Sequence, residues 1–259
     1  MTHICKNCGN HFNYEFCGHC GQTVDTHDIN WHFLWHDIQH GLLHFEKGIL
    51  YTTKELLIRP GNAIREFIEG KRVHHFKPIS LVLLLATVYG FLYHYFQVNI
   101  FNADFFRGVQ DGANAGSKSS LRLDYQKINE WLGTHYSWKA LMQIPFFSFA
   151  TFIFFRKSGY NFVQHFVLNT FISAQGLVLH ILLFPILFLF KYEQIIFVTI
   201  VDLIVIAFMI WTYVQFFIKY TKLKSSLLGI LSILFGLLLT VLAIYVFAGF
   251  YAVYLKHTH

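Results

Sequence analysis

The sequence predicts an all-α polytopic membrane protein with about five transmembrane helices. A small N-terminal zinc ribbon or knuckle and an amphipathic helical neck precede them. Three observations carry this. Residues 79–96 read ISLVLLLATVYGFLYHYF, without a single Asp, Glu, Lys or Arg. At about 1.5 Å per residue such a run approaches the roughly 30 Å hydrocarbon core of a bilayer. The chain is 55% hydrophobic, 19% aromatic and only 13% charged, with mean hydropathy +0.45. An average soluble domain carries about 25% charged residues, roughly twice as much. Finally, all four Cys residues fall within the first twenty positions, which reads as one metal site and not a disulfide framework. The expected organisation is a knuckle at 1–22, a cytoplasmic neck at 23–77 and a membrane domain at 78–259.

The knuckle comes first. Cys5-x2-Cys8 and Cys17-x2-Cys20 are two CxxC pairs, followed by Gly9 and Gly21. The two-residue spacing lets both sulfurs of a pair face one tetrahedral ion, and the glycine permits the tight turn that follows. Structural Zn2+ is the expected occupant, since four thiolates close the coordination shell. Iron in a rubredoxin-like site is the chemical alternative. Two redox-active pairs fit less well, because no βαβ pattern follows. The segment has no apolar core of a signal peptide, and reduced cysteines place it on the cytoplasmic side.

A polar linker follows, in which Asp28 or Asn30 is able to cap a helix. His32, His36, His40 and His44 then recur at intervals of four, one stripe of a helix that also carries Trp31 and Trp35. A helix of this composition suits the membrane interface, or packing against it. The same stripe could form a second metal site. His36-Asp37-x-x-His40 mimics a zinc-protease motif, but Asp replaces the Glu that serves as base there. Residues 48–70 give two short amphipathic helices broken at Pro60-Gly61. Lys71, Arg72 and Lys77 crowd the mouth of the first span. Such cations set topology and touch headgroups; Arg65, Lys71 and Arg72 are candidates for a specific anionic-lipid or phosphate site.

The chain here resembles an uncharacterised bacterial membrane family, a domain of unknown function common in Bacteroidota. The resemblance rests on the CxxCG…FCxxCG knuckle and on the TxxELLxRPG…EGKR…KP segment before the first span. Its residues are Cys5, Cys8, Cys17, Cys20, His44, Thr52, Pro60, Gly61, Ile64, Gly70, Lys71, Arg72 and Pro78. It covers roughly the first hundred residues and the later spans only in kind. It implies the architecture and a bacterial inner membrane, and it carries no activity.

Spans are expected at about 79–96, 138–155, 166–190, 195–217 and 227–253, with an outer loop at 97–136. In that loop Leu121, Tyr125, Ile128 and Leu132 mark a short amphipathic helix. Arg156, Lys157, Lys219, Lys222 and Lys224 fall in connections on the neck's side, and Lys191 and Lys256 on the other. The positive-inside rule therefore puts the N-terminus in the cytoplasm and the C-terminus outside. Polar residues within spans are costly in lipid, so they are the functional leads. Asp202 is the only acidic residue well inside a span, and His180 lies at a similar depth. His165, Asn169, Ser173, Gly176 and His180 share one helix face. The plain reading of that face is helix–helix contact. The sharper one is a transport path through His165, Asn169, His180 and Asp202.

Function is expected to be that of a membrane-anchored scaffold or interaction protein, the knuckle recruiting a cytoplasmic protein partner. The alternative is an ion, proton or small-solute transporter or channel using Asp202 and His180. An enzyme ranks last, because no HExxH, nucleophile elbow, P-loop or paired intramembrane carboxylates occur. Nucleic acid is disfavoured: Lys6 is the only Lys or Arg in residues 1–30. Homo-oligomerisation stays open.

Overall fold

The structure is a computed structural model that describes residues 2–24, 26, 29–34, 48–96, 136–186 and 194–258. His36, His40, His44, the expected cap Asp28, Lys191 and the outer loop before Tyr136 lie outside the described residues.

The knuckle is built from two similar turns. Strands β1 (His3–Ile4) and β2 (His11–Phe12) pair antiparallel, and Phe16 bridges Thr23 in the second half. Cys5 and Cys17 each begin a turn that ends on a glycine. Gly9 N–H donates to Cys5 O and Gly21 N–H to Cys17 O, both at 2.8 Å. The two glycines have φ of 74° and 77°, in the left-handed region that a side chain would strain. Asn30 Oδ1 accepts from Phe33 N–H and so caps the helical residues 31–34.

The neck forms α1 (Ile49–Ile58) and α2 (Pro60–Ile68), broken at Arg59 with Pro60 at the first position of α2. Five longer helices follow: α3 (Pro78–Tyr95), α4 (Tyr136–Phe154), α5 (Phe162–Leu183), α6 (Gln194–Phe216) and α7 (Lys222–Thr258). Helix α5 sits at the centre, packed on α3 and α4, while α7 packs on α4 and α6. Its start is four residues earlier than expected. Asn161 and Gln164 form a reciprocal capping box that an apolar scan does not see.

Among the described residues, three helices are long and apolar enough to cross a membrane: Phe162–Ile186, Ile196–Phe216 and Lys222–Ile244. Of the five expected spans, three therefore qualify by length and composition among the described residues. Helices α3 and α4 form, but their described apolar stretches, Pro78–Leu92 and Leu141–Phe154, are shorter. Helix α4 also carries Pro145 within it. Helix α7 outruns its expected span at both ends, because no helix breaker lies in KLKSS or in the last residues.

The neck is part of the core. Leu56, Ile64, Phe67 and Ile68 belong to one apolar cluster with Leu81, Leu168, Phe171 and Phe216. Its polar groups are fixed as well. Thr52 Oγ1 accepts from Phe76 N–H at 2.7 Å, and Arg59 makes a two-pronged pair with Glu66 while also pairing with Glu55. Gly61 is where α2 crosses α6: a Cβ there would lie 2.5 Å from Thr212 O and Phe216 N. His75 is buried against the rings of Tyr51 and Phe67. Burial lowers its pKa from 6.5 to about 4, with Glu66 opposing and Arg59 and His74 assisting.

Two outcomes follow from this packing. Gly61→Ala should destabilise the protein by about 2 kcal/mol or more, since backbone must move to admit the methyl group. Gly18→Ala, whose Cβ would meet nothing within 4 Å, should be nearly neutral in the same thermal-unfolding assay in detergent. His75 binds a proton more readily unfolded than folded. The stability it contributes is thus complete above pH 6.5 and is lost as pH falls toward about 4. The loss amounts to roughly 3 kcal/mol. Thermal unfolding between pH 7.5 and 4.5 should show a slope that His75→Phe flattens.

Candidate metal centre and intramembrane site

The two CxxC turns bring Cys5, Cys8, Cys17 and Cys20 together, with all four sulfurs within 4.8 Å of one another. Cys5 and Cys20 sulfurs are 3.5 Å apart, and those of Cys8 and Cys17 3.6 Å. A tetrahedron of thiolates about 2.3 Å from zinc has edges of about 3.8 Å. Backbone N–H groups of Cys20 and His19 face the Cys17 sulfur, and those of Asn10 and Gln22 face Cys8 and Cys20. The donor set therefore fits a four-coordinate metal ion. Protonation tells the same story. Asn10 N–H lowers the Cys8 thiol, but burial and the three facing sulfurs push it up to about 12. Burial raises Cys20, yet the Gln22 N–H, Asn7, Cys5 and Cys8 bring it down to about 7. Four thiolates cannot crowd together without a cation to balance them.

The knuckle is clamped to the bundle. Gln22 is buried; its Nε2 donates to Gly70 O at 2.9 Å and its Oε1 accepts from Arg72 N–H. Gly70, at φ 107°, leaves room for Lys6, whose Cδ would lie 2.8 Å from an added Cβ. Beyond it, Asn161 Nδ2 donates to Ile29 O, and Trp31 packs on Phe162. Of the histidine stripe only His32 is described, and it is exposed.

The three neck cations face different partners. Arg72 lies over the rings of Phe33 and Phe67, and Lys71 stands 3.9 Å from Glu66. Arg65 turns to α6, where its Nη1 donates to Gln215 O at 2.7 Å, and its Nη2 donates to Asn62 Oδ1.

Within the helices, the structure brings His180 and Asp202 together. His180 Nε2 is 3.3 Å from Asp202 Oδ1, and Tyr89 packs edge-on to the imidazole. His180 Nδ1 is 2.8 Å from Gly176 O. A carbonyl only accepts, so Nδ1 carries a hydrogen and donates. In the neutral ring Nε2 is then an acceptor facing a carboxylate, which also only accepts. The contact closes when one further proton is present, on the imidazole or on the carboxyl. The pair lines a cavity of about 310 Å³, together with Asn169, Ser173, Gly176 and Gln143.

His165, on the same expected face, does not line this cavity. It is fully buried among Phe152, Tyr160 and Phe217, and neither ring nitrogen has a hydrogen-bond partner. Asn169 joins cavity and core: it donates to Thr151 Oγ1 and accepts from Tyr213 Oη. Gln175 was not among the candidates. It donates to Leu56 O at 2.6 Å and accepts from Thr212. It stands off the His165–His180 stripe, so spacing alone passes over it, although an amide inside an apolar run is itself a signal.

Purified protein should carry one equivalent of zinc by elemental analysis, and Cys17→Ser should abolish it. Chelator should strip the metal faster as pH falls, because protons compete for the sulfurs. Residues 1–30 should then become protease-sensitive before the helices melt. No curated protein and no solved structure matches the chain. Residues 46–90, which span α1, α2, the Gly70 turn and most of α3, match the model of a family described as protein of unknown function (DUF3667).

Proposed function

We propose that this chain is a multi-pass membrane protein that binds and moves a proton or small cation, or a solute coupled to one, through the His180–Asp202 site. The knuckle then serves as a zinc-stapled cytoplasmic head that braces the neck, and the two further helices α3 and α4 complete the membrane domain. The observation that supports this is the 3.3 Å contact between His180 Nε2 and Asp202 Oδ1, which becomes a hydrogen bond only with one further proton. An acidic side chain among apolar helices is expensive unless it is neutralised. Here Asp202, with 59% of its side chain exposed, meets a histidine whose tautomer is fixed by Gly176, at the edge of a cavity with further polar groups. Gln143 and Ser173 have no hydrogen-bond partner among the described residues, so they are available to a ligand.

A second reading, a membrane-anchored interaction protein, is favoured by one feature. Ile4, Tyr14 and Phe16 are large apolar side chains left exposed on a knuckle that is fixed to the bundle. Exposed residues of this kind suit a protein partner.

Reconstitution in liposomes separates the two. Under a pH gradient, proton or monovalent-cation flux should be measurable for the wild type and fall at least about tenfold in Asp202→Asn and His180→Gln. Absence of flux in all three, across a range of ions and voltages, overturns the ion-path reading. In the second reading Asp202→Asn is silent, while Tyr14→Ser with Phe16→Ser abolishes partner capture and leaves the zinc content unchanged.

A further inference from the structure

We propose that a pocket at the knuckle end of the bundle seats the phosphodiester of a glycerophospholipid headgroup. The pocket, about 250 Å³, lies between α2, the turn that joins α4 to α5, and the segment after α6. Its lining includes Arg65, Glu69, Gly159, Tyr160, Ile218 and Lys219. It is separate from the His180–Asp202 cavity and does not rest on the transport reading.

Four observations converge. First, Arg65 is pre-positioned. Only 18% of its side chain is exposed, and its two terminal nitrogens are held by Gln215 O and Asn62 Oδ1. A guanidinium carries five N–H donors, so others remain for a ligand. Second, Lys219 extends over the chain at Gly159, its Nζ 2.9 Å from where a Cβ would sit. Gly159 has φ 91°, and its missing side chain is what admits the ammonium. Lys219 has no ion-pair partner among the described residues, whereas Arg59 and Lys71 in the neck both do.

Third, the charge fits. Arg65 and Lys219 against Glu69, whose Oε1 is 3.9 Å from Arg65 Nε, leave one positive charge. A phosphodiester carries one negative charge, while free phosphate near neutral pH carries more. Glu69 is in addition placed to meet an ammonium, as ethanolamine headgroups present. Fourth, the pocket stands where headgroups would. It lies at the ends of α4 and α6 and the starts of α5 and α7, with Ile218 and Leu223 strongly exposed beside Lys219 and Lys222. Acyl chains would lie along the apolar side chains and the phosphate along the cations.

The neck cations suggested such a site in the sequence, but Lys71 and Arg72 are engaged elsewhere. The cation that shares a pocket with Arg65 is Lys219, more than a hundred and fifty positions away in the chain.

The test uses delipidated full-length protein in detergent, titrated with phosphatidylethanolamine, with phosphatidylglycerol or with inorganic phosphate. Lipid binding is read by native mass spectrometry and thermal stability by unfolding. The expected result is one tightly retained phospholipid and a Tm rise of several degrees with lipid. Lys219→Ala should weaken retention about fivefold or more, and Lys219→Arg should restore it. Lys157→Ala, outside the pocket, should leave it unchanged. Because Arg65 also holds α6, its substitution is not used. Equal lipid retention by wild type and Lys219→Ala would overturn the proposal. So would a stabilisation by inorganic phosphate as large as that by either lipid.

Discussion

A helix broken inside a packed bundle leaves backbone groups that neither helix can satisfy, and the fold depends on how these are answered. Arg59 interrupts the neck where its two helices pack against α5 and α6. A buried unpaired peptide group costs about as much as a lost hydrogen bond. Three long side chains meet the demand. Gln175 Nε2 takes Leu56 O near the end of α1, Gln215 Oε1 takes Gly61 N–H at the start of α2, and Arg65 takes Gln215 O at the end of α6. The Arg59–Glu55–Glu66 cluster neutralises the charges at the elbow itself. Gly61 sets how closely the two helices approach, and thereby whether these reaches are the right length.

The same elbow ties the metal centre to the helices. Gln22 follows the last cysteine turn and bonds to Gly70 O and Arg72 N–H, while Arg72 stacks on Phe67, which packs edge-on to Phe171 of α5. These links run from the knuckle through the neck to the central helix, the Gln22–Gly70 hydrogen bond buried and the Arg72 contacts half-buried. The segment 46–90, which matches a family model, is the piece that makes these contacts in both directions. Its Thr52, Pro60, Gly61 and Gly70 each have a backbone reason to be what they are.

Much of this was legible in the sequence, and the limits have physical causes. The cysteine spacing disclosed the sulfur cluster because ligand geometry is local. The apolar runs disclosed helices for the same reason, although among the described residues three of the five pass the length needed to cross a bilayer. Depth counting along two helices placed His180 beside Asp202, since rise per residue is nearly constant. What periodicity could not disclose is which cations share a pocket. Arg65, Lys71 and Arg72 are neighbours in sequence, but the turn at Gly70 sends them to three different partners. Nor could it separate His165 from the polar face it nominally shares, because the rings that enclose it come from α4, from the 156–160 turn and from the end of α6.

That enclosure bears on how the cavity can work. Toward the knuckle, the polar lining of α5 ends at Asn169, whose amide is engaged by Thr151 Oγ1, His165 O and Tyr213 Oη. Beyond it Tyr213 is fully buried, Phe155 stacks on Phe217 with centroids 3.7 Å apart, and His165 lies against Phe217 without a polar contact. The His180–Asp202 pair therefore has a polar neighbourhood on one side and a plug of rings on the other. In the carrier reading this is a state closed toward the knuckle. Part of the plug comes from residues 213–217, a stretch whose backbone Arg65 bonds and Gly61 approaches closely. Any motion that admits water from that side has to part the Phe155–Phe217 stack and shift the end of α6. The neck helix α2 is bonded to the end of α6 and the cysteine knuckle is bonded to the turn after α2, so in the carrier reading such a motion has to move the neck as well.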